Sequence, residues 1–186
     1  DPAAEPRVAL SIRPYPAEWE RRREVGRLGE VFFRPIRPVD EHLADAFVER
    51  LAPEDVRMRL LAPRKEFSHA FVARLTQIDY FNEMALIAVR PQAYGEEEIG
   101  VCRYVTNPDR TSCEFAIVVS DDMQGKGLGT RLMKALMDSA RLHRLTRMEG
   151  TVLRQNKAML QLMTDLGFAI VQVPDDPDIV AVEFWL

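Results

Sequence analysis

Cysteine is almost missing from this chain, with Cys102 and Cys113 the only two among 186 residues. Two are too few for a disulfide scaffold, and neither belongs to a CxxC pair beside a histidine cluster. Histidine is nearly as scarce. His42, His69 and His143 stand without a ligand partner at helical spacing, so no metal is expected. No uncharged apolar run approaches the roughly 18 residues of a membrane span. The best candidates, 84–89 and 115–119, are strand-sized. A basic-then-apolar signal peptide is lacking as well. Nor does one sign of charge dominate: 25 Lys and Arg against 29 Asp and Glu leave a formal net charge of −4. That balance argues against a broad nucleic-acid surface and leaves room for a compact anion site. The expectation is a cytoplasmic protein with reduced cysteines, partnered by neither membrane nor nucleic acid. With 47% apolar and 29% charged residues the chain can build one domain around a real core, which excludes a disordered tail or a fibre. It begins with Asp1, not Met, and is expected to be a piece of something longer.

Proline clusters early, six of 12 falling within the first 38 residues, and a charge run occupies 21–24. Residues 1–29 therefore read as a linker or N-terminal arm, and 30–186 as the domain. Alternation of Val8, Leu10 and Ile12 leaves open an extended strand over 8–15 that packs on the domain. From residue 31 the elements become regular. A strand over 31–37 precedes a helix over 40–51, whose apolar residues Leu43, Ala44, Phe47, Val48 and Leu51 fall at helical spacing. A short helix at 54–61 follows Pro53, and another spans 68–75. Strands at 84–90 and 99–106 lead through the turn Asn107-Pro108-Asp109-Arg110 into a strand at 112–119. Beyond a glycine-rich loop, Leu132, Leu136 and Ala140 line one face of a helix whose other face carries Arg131, Lys134, Asp138 and Arg141. A strand at 147–153, a helix at 156–166 ended by Gly167, and strands at 168–173 and 179–186 close the chain. This order predicts an α/β (α+β) fold in which helices flank a mainly antiparallel sheet.

Three of the nine glycines lie within five residues, in Gln124-Gly125-Lys126-Gly127-Leu128-Gly129, between an apolar strand and an amphipathic helix. Glycine gathers where the backbone takes unusual dihedrals or approaches a ligand closely. At a helix start the first amides lack intrahelical acceptors and the dipole adds positive charge, so the turn reads as a phosphate cradle. It is neither a Walker loop, lacking GKS or GKT, nor a dinucleotide fingerprint with its downstream acid. Asp121 and Asp122 would repel an anion unless they point away.

In the strand at 112–119, the period of two puts Glu114, Ala116 and Val118 on one face and Cys113, Phe115, Ile117 and Val119 on the other. Glu114 is a lone carboxylate in apolar company. Buried in a cleft, it would have the raised pKa that suits a general base. Alternatively it faces solvent at the start of the strand or pairs with Arg103 next door. Cys113, on the opposite face with no histidine nearby in sequence, reads as core rather than as a nucleophile.

Glu114 in a strand, Gln124-x-x-Gly127-x-Gly129 at the next helix, and Asn156 followed eleven residues on by Gly167-Phe168 together resemble the GNAT acyltransferase superfamily over residues 31–186. The runs Ser11-Ile12-Arg13-Pro14-Tyr15-Pro16, Phe33-Arg34-Pro35-Ile36-Arg37-Pro38 and Leu75-Thr76-Gln77-Ile78-Asp79-Tyr80 are similar, more closely, to the acetyltransferase domain of Pat-type bacterial protein lysine acetyltransferases. The resemblance implies a sheet splayed between its fourth and fifth strands, with acetyl-CoA bound in the opening. Gln124, Gly125, Lys126, Gly127, Leu128, Gly129 and Thr130 would hold the pyrophosphate. Ile117, Val118 and Val119 would offer main-chain groups to the pantetheine arm and thioester, Asn156 would approach the cofactor, and Glu114 would be the general base. It also implies protein substrates, acyl-CoA synthetases among them, and an N-terminal synthetase-like domain in the full-length chain.

One position departs from the superfamily. Where many members carry a tyrosine acid in Asn-x-x-Ala-x-x-Leu-Tyr, this chain has Asn156, Met159, Leu162 and Met163. Met163 cannot donate a proton. The leaving thiolate, from a thiol of pKa about 8.5, is tolerable without an acid. Acetylation of a small amine and non-catalytic sensing of acyl-CoA are the rival functions.

Overall fold

The computed structural model describes residues 13–51 and 69–186. Residues 8–12 of the first expected strand and the whole helix expected at 54–61 lie outside the described residues. Eight strands form one sheet: β1 (Arg21–Glu24), β2 (Glu30–Pro35), β3 (Glu83–Gln92), β4 (Gly95–Thr106), β5 (Ser112–Val119), β6 (Arg147–Leu153), β7 (Ala169–Gln172) and β8 (Ile179–Trp185). Their order is β1-β2-β3-β4-β5-β6-β8-β7, and every pairing is antiparallel except β5 with β6. Helices α1 (Glu41–Arg50), α2 (His69–Thr76), α3 (Leu128–Leu142) and α4 (Lys157–Asp165) flank it. This is the mixed, mainly antiparallel architecture expected from the sequence.

The faces of the sheet follow from side-chain alternation. α3 lays Leu128, Leu132, Leu136 and Ala140, all buried, against β3, β4 and β5, while Arg131, Lys134, Asp138 and Arg141 stay exposed. Each fully buried leucine contributes about 1.5–3 kcal/mol of transfer free energy. On the opposite face, Phe47 and Leu51 of α1 and its C-cap pack on Val118 of β5. The start of α1 is pinned to β2 by a buried fork, in which Arg34 Nη1 and Nη2 donate to Asp40 Oδ2 and Oδ1 at 2.6 and 2.7 Å. Asp40 Oδ2 also accepts the Arg37 amide at 2.7 Å.

Within the segment read as an arm, β1 pairs with β2 along the edge of the sheet, and Tyr15 reaches the Pro35 carbonyl at 3.2 Å. All four side chains of β1 are exposed. An edge strand of charged residues needs no apolar alternation and discourages further pairing.

β3 and β4 run past the expected limits of 84–90 and 99–106 and join in a tight hairpin closed at Gln92 and Gly95. Between Ala88 and Val89 the register jumps, from Gly100 to Glu98, so Ile99 is the extra residue of a β-bulge. The bulge resets the alternation of β4. Ile99 joins the core on the α3 side, and Glu98, only 2% exposed, turns under α1. A run of three acids at 96–98 reads in sequence as solvated surface, and Glu98 departs from that by being buried.

Candidate active site

β5 and β6 pair in parallel only from Ser112 to Glu114, opposite Arg147 to Glu149. Beyond Glu114 they diverge. β6 keeps its whole length paired to β8, and β5 stays bonded to β4 up to Val119. Counted from residue 31, these are the fourth and fifth strands, where a splay was expected. Main-chain groups of residues 115–118 that a continued ladder would use instead face an opening, where a ligand can satisfy them.

The opening widens into a groove between β5, the N-terminus of α3 and α4. Nine of the expected residues line it: Ile117, Val119, Gln124, Gly125, Gly127, Leu128, Gly129, Thr130 and Asn156. Two do not. The Val118 side chain belongs to the other face of the sheet, and Lys126 folds back, its Nζ donating to the Asp122 carbonyl at 2.7 Å. Met123, Gln161 and Asp165 also line the groove. Gln161 and Asp165 carry no local motif, since α4 meets the head of α3 only through the tertiary fold.

The glycine turn is built for backbone approach. Gly125 and Gly127 have φ of +69° and +83°, which side chains rarely adopt, and a Cβ on either would meet nothing within 4 Å. Conformation and open space, rather than crowding, call for glycine there. Gly127 is the N-cap of α3 and, among the described residues, no side chain of that cap satisfies the first turn, whose amides have no intrahelical acceptor. Asp121 is turned aside, its Oδ1 accepting from Gln124 Nε2 at 2.6 Å. At the far wall Asn156 caps α4, its Oδ1 accepting the Met159 amide at 3.1 Å.

Of the placements open to Glu114, the structure has the exposed one, in register with Val105 on β4 and Glu149 on β6. Arg103 sends its Nη2 to the Leu75 carbonyl at 2.7 Å. Glu114 is the last residue of β5 paired with β6 before the strands part. Cys113 is fully buried, and burial pushes its thiol up to about 12, far from a reactive thiolate. Met163 is also fully buried, so no proton donor occupies that position on α4.

A family model for the acetyltransferase (GNAT) domain matches residues 31–169. The acetyltransferase PA5475 of Pseudomonas aeruginosa is 35% identical over 158 residues, which cover 85% of this chain and 84% of that protein. The acetyltransferase Pat of Mycolicibacterium smegmatis is 33% identical over 183 residues, 97% of this chain and 51% of that protein. Among solved structures, the GNAT domain of S. lividans PAT superposes with a TM-score of 0.82 at 27% identity, covering 93% of this chain and all of the other. Splayed strands, a glycine turn heading α3 and this shared sequence agree: the chain belongs to the GNAT family of acetyltransferases.

Proposed function

We propose that the chain transfers acetyl from acetyl-CoA to lysine side-chain amines of proteins, with acyl-CoA synthetases as the substrate class, acting in the cytoplasm. The observation that carries this reading is the continuous path from the parted strands to the uncapped head of α3. Pantetheine, an amide-bearing chain, suits the open edge of β5, and a diphosphate suits amides at a positive helix end. Similarity to Pat along nearly the whole chain supports the protein substrate. A synthetase-like domain preceding this one in the full-length protein is part of the same proposal. The two buried, unbridged cysteines fit a reducing compartment.

A lysine amine of pKa about 10.4 lies roughly 4–5 kcal/mol from its nucleophilic form at pH 7. Glu114, directly or through a water, takes that proton. The free amine then attacks the thioester in a ternary complex, forming the amide C–N bond as the C–S bond breaks. With methionine at 163, the thiolate leaves unassisted or takes its proton from water.

Incubation with labelled acetyl-CoA, a panel of synthetases and a panel of small amines, followed by mass spectrometry, tests the proposal. Labelled lysines on a synthetase are expected. Label confined to small amines would replace the protein substrate, and acetyl-CoA binding with no label on any acceptor would leave a sensor.

A further inference from the structure

A cleft lies between β1 and α3. It shares no lining residue with the groove at the glycine turn or with the hollow behind β5 that Ala116 and Val118 line. Alternation along β1 sends Arg21 and Arg23 to this side, Arg21 in register with the core residue Phe33. Arg22 turns the other way, over the Phe32 ring and onto Glu30. Helical spacing sets Arg131 and Lys134 on the facing flank of α3. All four cations are exposed.

Charge in this cleft is one-sided. Elsewhere Arg22, Arg37, Arg90, Arg141 and Arg147 each stand on a carboxylate. None of the four cleft cations does so among the described residues. Arg21 Nη1 donates to the Glu18 and Glu20 carbonyls at 2.7 Å and Arg23 Nη1 to the Arg22 carbonyl at 3.0 Å. Asp138, the one acid of the lining, is turned to Arg141, its Oδ1 accepting from Nη1 at 2.8 Å. In a chain of net charge −4, four cations thus face one another across two elements, and an anionic occupant would relieve their repulsion.

The layout suits an extended chain better than a compact phosphate. Arg21 and Arg23, two apart on a strand, stand about 6.7 Å from each other along it. Arg131 and Lys134, three apart on a helix, are separated by about 4.5 Å along its axis. These are two rows of charge on flexible stems, without the converging main-chain amides of the glycine turn. A peptide in extended conformation with acids at alternate positions repeats at the same spacing of about 6.7 Å, so its carboxylates fall on the two arginine forks. Trp19 and Ala135, both packed against the core, add apolar wall between the charges.

We propose that this cleft docks an acidic segment of a partner protein, extended and with carboxylates at alternate positions, between the arginines of β1 and the cations of α3. The docking does not depend on the transfer reaction. Fluorescence anisotropy with a fluorescein-labelled Thr-Glu-Thr-Glu-Thr-Glu peptide tests it, beside the same peptide with Gln for Glu. Saturable binding is expected at about 50 mM salt, weakening at least tenfold at about 0.5 M, and none for the Gln peptide. Arg23→Glu and Arg131→Glu, one from each bank and both folded by circular dichroism, should each bind at least about tenfold more weakly. Arg74→Glu makes the same change of net charge on α2 and should bind like wild type. Absence of saturable binding, unaltered affinity in both cleft variants, or an equal loss in Arg74→Glu overturns the proposal. Displacement of the peptide by acetyl-CoA would place it in the groove, and displacement by equimolar tripolyphosphate would make the cleft a phosphate site; either result overturns the proposal as well. None of these results bears on whether lysine transfer occurs.

Discussion

Phe115 and Gly150 meet across the parting strands: a Cβ built on Gly150 would lie 2.7 Å from Phe115 Cε1. The ring continues into a tilted aromatic stack with Phe168 and Phe184, at centroid distances of 5.4 and 5.3 Å. Gly150→Ala must therefore displace a packed ring. We expect a loss of about 1–3 kcal/mol in chemical denaturation, the usual cost of overpacking, and an altered groove. Unchanged stability would show that the stack yields without strain.

Glu114→Gln keeps the shape of the side chain and removes its basicity. Turnover should fall about 10²-fold or more, with acetyl-CoA affinity little changed, because Glu114 is the last paired residue before the strands part and is not among the residues lining the groove. Steady-state kinetics beside calorimetry separates the two effects. A full rate at saturating substrate would assign the proton to another acceptor.

Gly127→Val puts a β-branched residue at a φ of +83°. Such residues resist left-handed backbone at a cost of about 1–2 kcal/mol, so the turn should rearrange while the sheet persists. Acetyl-CoA binding by calorimetry should disappear with the circular dichroism spectrum intact. Normal affinity would show that the phosphates are held elsewhere.

Glu98 also gives stability a pH dependence. Its folded value of about 8 lies above the ordinary 4.5, so between these values the folded chain holds a proton that the unfolded chain has released. Stability should then fall as pH rises from about 5 to 8, by up to about 1.4 kcal/mol per pH unit from this group. Urea titrations across that range should show a shallower decline in Glu98→Gln. Parallel curves for the two proteins would mean that the carboxyl is ionised in the fold.

Periodicity made much of this molecule legible before its structure. The buried face of α3, the two faces of β5 and the glycine turn all follow from local spacing. β1 escaped because four exposed charged residues pair through backbone alone and leave no apolar signature. Glu98 escaped because the bulge at Ile99 shifts the alternation by one, so a run of three acids hides a residue aimed inward. For Glu114, alternation told the face but not the depth, and depth depends on which helices cover that end of the strand. Gln161 and Asp165 reach the groove through the docking of α4, which no short-range pattern encodes.

β5 is a partition one residue thick. Its odd-numbered side chains, Ile117 and Val119, front one compartment, and its even-numbered ones, Ala116 and Val118, front the other. Enlarging or shrinking 116 and 118 thus reshapes the rear hollow without altering the groove, and the reverse holds for 117 and 119. Two preferences written in alternate letters of one short word can diverge independently.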